Sequence, residues 1–431
     1  GGAITAISGK KIDRALEIAR LNRLPYIQFV ESAGGDLRRG TDDPDAEMRR
    51  NLSHFAESGR LFHDITELSA ERIPSVSIVF GSSTAGGAYQ PGMSDYNIFI
   101  RGRSKVFLGG PPLVKMATGE DSDDEELGGA AMHATTSGLA DYLADDEVEA
   151  IRMARSVIRH LNWRKLGPGP SLPADEPTFS SEELLGLLPV DLKRPMDIRE
   201  VIGRITDGSR FEEFKPLYGT TLVTGWASIH GFPVGIIGNN GVLFSDSSEK
   251  AAQFIQLCNQ TDVPIIFFQN ITGYMVGKVY EHGGIVKNGS KMINAISNSK
   301  VPHITIIVGA SYGAGNYGMS GKAFDTRFVF SWPTAKISIM GPKQLAGVMS
   351  LVRRGQARSS GREFDEGEDA KLNAAVEDRA ERESLALYAT GRVADDGLID
   401  PRDTRTVLAI TLSACHSNVV RGTDRFGVFR M

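Results

Sequence analysis

Two short loops in this 431-residue chain hold residue types that could stabilise a developing negative charge. One is Ala85-Gly86-Gly87-Ala88-Tyr89; the other is Gly313-Ala314-Gly315-Asn316-Tyr317. Each ends a small-residue stretch, from Gly81 and from Gly309, that comes straight after a β-branched apolar run, Val76 to Phe80 and Ile304 to Val308. Glycine and alanine leave the backbone uncovered, so adjacent N–H groups at a helix start can face a cleft and hold an oxyanion. The candidate donors are Gly86 with Gly87, and Ala314 with Gly315. A tight packing turn would read the same way in either loop alone. The two loops are, however, one device used twice. Pro74 and Pro302 are 228 positions apart, and so are Gly81 and Gly309, Gly87 and Gly315, and Tyr89 and Tyr317.

No nucleophile or base accompanies these donors. The eight His residues form no H-x-x-x-H cluster, and no Ser or Cys stands in a G-x-S-x-G context. His133, His282 and His303 read as structural hydrogen-bond partners. The chemistry is therefore expected to take its base from a cofactor. Gly313 to Gly318 also fits G-x-G-x-x-G, but the next strand, Arg327 to Trp332, ends without the acidic residue a dinucleotide site uses. The equivalent first loop lacks the pattern, which argues against a nicotinamide or flavin.

The elements that must position these loops also repeat. Leu24 to Val30 and Val263 to Phe268 read as buried strands with Pro at the start, where no ladder donor is needed. Pro25 and Pro264 are 239 apart, as are Ser8 and Ser247, Lys11 and Lys250, and Gly34 and Gly273. A helix precedes each strand. Ile12, Ala15, Leu16 and Ala19 form the first apolar stripe, and Ala251, Phe254, Ile255 and Cys258 the second. Strands alternating with helices predict an α/β fold with largely parallel pairing. The second half has a lead-in, a helix near Ile198 and a hairpin of Thr221–Ile229 with Val234–Gly238, which the first half lacks. A Pro/Gly-rich stretch from Gly167 to Pro177 marks the boundary. The expected organisation is a domain 1–166, a linker 167–196 and a domain 197–431. The chain opens Gly1-Gly2-Ala3, without Met, which suggests that a beginning is missing.

Composition narrows the class. The length suggests about two domains, and 41% apolar with 23% charged residues is ordinary for a globular protein. A net charge of −5 leaves no footprint for nucleic acid or anionic lipid. No apolar run approaches the ~20 residues that span a bilayer. Two cysteines, Cys258 and Cys415, favour a reducing compartment and provide no metal-ligand spacing. The acidic runs Asp42–Glu47 and Asp121–Glu126 read as solvated loops. Asp365 to Leu387 reads as a charged helix packing outward or against a partner.

Several stretches resemble the carboxyltransferase (β) subunit of biotin-dependent acyl-CoA carboxylases. They are Gly81 to Pro91, Phe107 to Lys115 with Ala117 to Glu120, Glu126 to Ala130, Gln269 to Gly277, Ser311 to Met319, Asp395 to Pro401 and Phe429 to Met431. The likeness is nearest the methylcrotonyl-CoA and geranyl-CoA branch, because Asn270-Ile271-Thr272-Gly273 stands where the propionyl/acetyl branch would show an Asp-x-Pro-Gly-type turn. The resemblance implies two tandem crotonase-like domains and transfer of a carboxyl group from carboxybiotin, carried on a partner's carrier domain, to an acyl-CoA such as 3-methylcrotonyl-CoA. The biotin ureido group would serve as the base, and the acyl-CoA enolate would attack the released carbon dioxide. Gly86 and Gly87 would hold the thioester enolate, with Ser32, Ala33, Gly34, Gly35, Thr84, Ala85 and Tyr89 lining the acyl-CoA side. Ala314 and Gly315 would hold the biotin ureido oxygen, with Asn270, Thr272, Gly273, Tyr274, Tyr312, Gly313, Asn316 and Tyr317 lining that side. The resemblance further implies no bound metal, a biotin carboxylase/carrier partner subunit, and a homo-hexamer in which one subunit's N-half meets another's C-half. It places the chain in a bacterial cytoplasm or the mitochondrial matrix, and implies an N-terminal segment beyond Gly1 and a longer loop at Asp36 to Arg50.

Other readings remain open at this point. A decarboxylase α-subunit would run the transfer backwards beside a membrane partner. A non-catalytic assembly subunit would tolerate Val at Gly87 or Gly315. A hydratase of the crotonase kind would need a carboxylate pair near the first loop.

Overall fold

The computed structural model describes residues 2–35, 59–187, 189 and 196–431. The stretch Asp36 to Arg50, with the acidic run Asp42–Glu47, lies outside the described residues. The chain divides into two compact units, Gly1–Lys165 and Leu166–Met431.

The first unit begins with the helix Ala6–Asn22, which starts at a capping box between Thr5 and Ser8. Leu16 and Ala19 are buried as the stripe predicts; Ala15 is exposed, and Arg14 is buried instead, paired with Glu17 at 2.6 Å. Four strands, β1 (Tyr26–Ser32), β2 (Ser75–Thr84), β3 (Tyr96–Ile100) and β5 (Tyr142–Ala144), pair in parallel in the order β1-β2-β3-β5. A short β4 (Lys105–Phe107) pairs with the far end of β2. The helix Glu147–His160 covers Val76, Ile78, Ile98 and Ile100 with Ala150, Ala154 and Val157. Helices Ala6–Asn22 and Arg60–Ala70 pack together through Leu16, Ala19, Ile65 and Leu68. β1 is not the buried strand that its apolar run predicts. It is an edge strand, and Phe29 remains 64% exposed beside Phe80, with ring centroids 5.1 Å apart.

The acidic run Asp121–Glu126 is exposed but is not wholly a loop. Asp123 caps the short helix Asp124–Gly128, so the charges gather where a helix N-terminus favours them.

The second unit starts with a small β6 (Glu212–Glu213) on an antiparallel hairpin of β7 (Leu222–Ile229) and β8 (Phe232–Asn239). His230 and Gly231 form its tip, both with positive φ, as a two-residue turn of this hand requires. The sheet then turns parallel through β9 (Ile265–Ile271), β10 (His303–Tyr312), β11 (Phe328–Ser331) and β13 (Gly397–Leu398), with β12 (Lys336–Ser338) on the far end of β10. The helix Ser245–Gln260 presents Ala251, Phe254, Ile255 and Cys258, all fully buried, to this sheet. Gly235 is required there, because a Cβ would lie 2.5 Å from Cys258 Sγ.

The Pro/Gly-rich stretch runs along the second unit. Leu166 N–H donates to Ser417 O at 3.2 Å, Gly167 N–H to His416 O at 3.0 Å, and Ser171 and Leu172 both to Gly231 O. Arg405, beside the fully buried Asp207 at 2.8 Å, also donates to Asp175 O at 2.9 Å. The charged helix Glu366–Ser384 pairs with Pro342–Ser359 through a polar seam, in which Asp369 accepts from Ser350 at 2.5 Å and from Arg353 at 2.7 Å.

Candidate functional site

The same irregularity precedes both loops. In the first unit Val30 pairs with Val79, and the next partners are Ser32 and Ser83. In the second Gln269 pairs with Ile307, and the next partners are Ile271 and Ser311. Each central strand thus spends four residues where its neighbour spends two, and bends away to pair with a short outer strand, β4 or β12. A glycine lies in each bend. A Cβ on Gly81 would sit 2.9 Å from Glu31 Oε1, and one on Gly309 would strike Asn270 Oδ1. The bend aims the following loop out of the sheet.

In the first unit the loop is a tight helical turn, Ala85–Ala88, that runs on into Tyr89–Gly92. Ala85 takes a left-handed φ of 52°, a strained choice for a residue with a side chain. That value turns the chain directly from strand to helix. Gly86 and Gly87 follow at the start, where N–H groups have no carbonyl a turn behind them. Gly87 is buried on a filled floor, with Ser32 Oγ 2.8 Å and Ser83 Oγ 3.1 Å from the position of an added Cβ. Gly86 is exposed, and its nearest neighbour at that point is Phe62 Cζ at 3.5 Å. Ser32 Oγ accepts from Gly34 N–H at 3.1 Å, and Thr84 Oγ1 donates to Ser32 O at 3.4 Å. Gly34, at φ 81°, lies against Ala85. Ser32, Gly34, Thr84, Ala85 and Gly87 are therefore one cluster. Ala33 is exposed beside it, and Gly35 leads away to bridge Ile4. Tyr89 is half exposed and meets Phe62 edge-on at 5.8 Å.

The second loop turns at Gly313, whose φ of 55° and ψ of −142° suit glycine alone, and opens the helix Ala314–Gly318. Ala314 is exposed and Gly315 is buried. A Cβ on Gly315 would lie 2.6 Å from Ile271 Cγ1 and 3.1 Å from Gly273 Cα. Gly273, at φ 133°, has open space where its own Cβ would be. Asn270 Oδ1 accepts from Ala310 N–H at 3.1 Å. Tyr274 fills the space below, against Gly289 and Gly318. Asn270, Gly273, Tyr274, Gly313, Gly315 and Asn316 are thus brought together. Thr272 is an exposed neighbour, and Tyr317 turns to Phe324, ring centroids 5.9 Å apart. Tyr312 is half-buried beside β12.

The electrostatics favour donation over proton abstraction. Burial pushes the Tyr274 phenol well above its ordinary range, and burial with Glu381 nearby raises that of Tyr312. Both stay protonated at neutral pH. His133 and His303 are engaged structurally, His133 Nε2 with Val106 O at 2.8 Å and His303 with Ser299 and Ser320. Among the described residues no group of three or more His, Cys, Asp or Glu side chains could hold a metal ion, and no helix is long and apolar enough to cross a membrane.

Sequence reasoning missed Phe62, Ser83, Gln269 and Ser311 as site neighbours. Phe62 offered no signal. Ser83 and Ser311 correspond by the 228 spacing, and Gln269 is the polar interruption of an apolar strand, Ile265-Ile266-Phe267-Phe268-Gln269.

The chain matches the carboxyl transferase domain family over residues 1–429. It is 57% identical over 432 residues to a Mycobacterium tuberculosis protein named probable biotin-dependent acyl-coenzyme A carboxylase beta2 subunit, covering 100% of this chain and 79% of that one. It is 48% identical over 433 residues to the mitochondrial methylcrotonoyl-CoA carboxylase beta chain of Dictyostelium discoideum, covering 100% and 72%. Among solved structures, the beta subunit of P. aeruginosa geranyl-CoA carboxylase superposes with a TM-score of 0.86 at 41% identity, covering 100% of this chain and 79% of that one.

Proposed function

The chain belongs to the carboxyl transferase domain family, and on that premise we propose that it is the carboxyltransferase subunit of a biotin-dependent acyl-CoA carboxylase. It acts on a branched unsaturated acyl-CoA of the 3-methylcrotonyl type. The observation that carries this reading is the pair of glycine-and-alanine loops, each aimed off the bent end of a central parallel strand, with Tyr274 and Tyr312 held protonated around the second. The two units are tandem crotonase-like domains, with an acyl-CoA domain over 1–166, a linker over 167–196 and a biotin domain over 197–431. The shared bend, and the fall of Glu31 and Asn270 beside Gly81 and Gly309, support the duplication.

The residues fit both ligands. Gly86 is open to solvent while Gly87 rests on a filled floor, so a thioester oxygen can approach their N–H groups without moving a side chain. Developing enolate charge would be held there, each donor being worth ~3–4 kcal/mol. Around the second loop, the open space at Gly273 and the exposed Ala314 leave room for a flat ureido ring, whose oxygen Ala314 and Gly315 would hold. Carboxybiotin, when bound, supplies both the carboxyl carbon and the group that takes the acyl proton. Asn270 fixes β10 before the loop, and Tyr274 backs the helix at Gly318.

The partners are a biotin carboxylase and biotin carrier subunit, and the working assembly is a homo-hexamer of this chain in a larger complex, in a bacterial cytoplasm or mitochondrial matrix. The test is to assemble the chain with biotin carboxylase and carrier and to assay a panel of straight, branched and unsaturated acyl-CoAs. Carboxylation of 3-methylcrotonyl-CoA is expected, and failure with every member of the panel would sink the reading.

A further inference from the structure

We infer that Gln269 is a positioning residue for the Ala314–Gly315 donor pair, an inference that rests on the donor role proposed above. A helix of five residues is too short to hold its own direction. Something outside it must set where its first N–H groups point. Gln269, on the neighbouring β9, is fully buried and reaches the middle residue of that helix and its C-cap. Its Nε2 donates to Met319 O, at the helix C-cap, at 2.8 Å. Its Oε1 accepts from Ser311 Oγ at 2.5 Å and, more weakly, from Asn316 Nδ2 at 3.4 Å. Asn316 Nδ2 also donates to Ser311 Oγ at 2.8 Å. Asn316 follows Gly315 directly, so these bonds close a triangle between β9, β10 and the residue behind the donors.

In so dry a place each bond is stronger, and losing one strands its partner. The clamp therefore fixes the rotation of the helix about its own axis, which apolar packing of Ile271 on Gly315 alone would leave soft. Among the described residues the first loop shows no such device. The 239 spacing puts Val30 where Gln269 stands, and the 228 spacing puts Ala88 where Asn316 stands. Ser83, the counterpart of Ser311, has a buried hydroxyl with no hydrogen-bond partner among the described residues. Among the described residues the clamp thus belongs to the second loop, and its loss should be felt on that side.

The test uses the assembled carboxylase with 3-methylcrotonyl-CoA, and compares Gln269→Leu and Asn316→Ala with the parent chain. Misplacing a bound group by about 1 Å costs on the order of 100-fold. The expected result is a kcat loss of about 10- to 100-fold in Gln269→Leu, and a smaller loss in Asn316→Ala. In both, the KM for acyl-CoA stays within about twofold, and the KM for free biotin in the reverse reaction rises. A fall in thermal stability with kcat per assembled complex unchanged would mean that Gln269 only braces the fold, and would overturn the inference. So would a rise in acyl-CoA KM in step with the kcat loss. Should Gln269→Leu not assemble, Ser311→Ala decides, since its fully buried hydroxyl belongs to the clamp and cannot touch biotin. An inactive parent complex refutes the proposed function, whereas an active parent with unchanged variants refutes this inference only.

Discussion

Gly315 and Ile271 stand so close that a Cβ on residue 315 would lie 2.6 Å from Ile271 Cγ1. Gly315→Ala must therefore push the donor helix off β9. Carboxyl transfer is expected to fall on the order of 100-fold in the assembled complex. Gly86→Ala meets only Phe62 Cζ at 3.5 Å, so it should fold normally and lose less. Steady-state rates beside thermal melts of the two variants check the contrast.

The serine pair provides a second comparison. Ser83 Oγ is buried with no partner among the described residues, while Ser311 Oγ bonds to Gln269 and Asn316. Removing an unpaired hydroxyl removes a desolvation cost, so Ser83→Ala should leave unfolding free energy unchanged or raise it by up to about 1 kcal/mol. Ser311→Ala leaves its two partners only the weaker bond between them, 3.4 Å long, and should lower it by about 1–3 kcal/mol. Denaturant titration of both variants measures the difference.

Acid should weaken the second unit through His303. Burial, followed in size by the nearby Arg327, presses the His303 pKa to about 3, so the folded state keeps the ring neutral. An unfolded His takes up a proton near pH 6.5. The contribution of this ring is complete above that pH and is lost as pH falls from about 6.5 towards 3, with a slope of up to about 1.4 kcal/mol per unit. In His303→Gln the melting temperature should be lower at pH 7 but flatter between pH 6.5 and 4.5.

Asp207 acts in a more acid window. Burial alone would raise its carboxyl, but Gly231 N–H, the Arg405 guanidinium and the Ser228 hydroxyl outweigh it and hold the pKa below the ordinary range. The stabilisation is present above the ordinary Asp value near 4 and fades as pH falls below it. Arg405→Met leaves a buried carboxylate without its partner and should cost about 3–5 kcal/mol at pH 7. Asp207→Asn should cost less and should flatten the pH dependence below 4. Melts from pH 3 to 7 test both variants.

The repeat and the strand–loop devices were legible because period and spacing are properties of the string. Continuous apolar runs marked β2, β9 and β10, and the 228 spacing alone paired the loops. The edge position of β1 was not legible, because its apolar run looks the same whether one face is covered or two. Arg14 displaced Ala15 from the buried face through an ion pair that no periodicity records. The donor loops were found from glycine and alanine alone. Their supports, Phe62 from a distant helix and Gln269 from a neighbouring strand, depend on contacts between segments far apart in sequence. The polar break in β9 was the one visible trace of the second.

The bonds from Leu166 and Gly167 to Ser417 and His416 bring the two ends of a long stretch of chain side by side. A stretch whose ends meet can be cut out, moved or copied in tandem with only a short joining peptide, since no connection has to cross its body. A gene could therefore double such a module, or part it again into two genes, without redesigning the interior. For the bench, residues 166–431 form a compact unit to express alone.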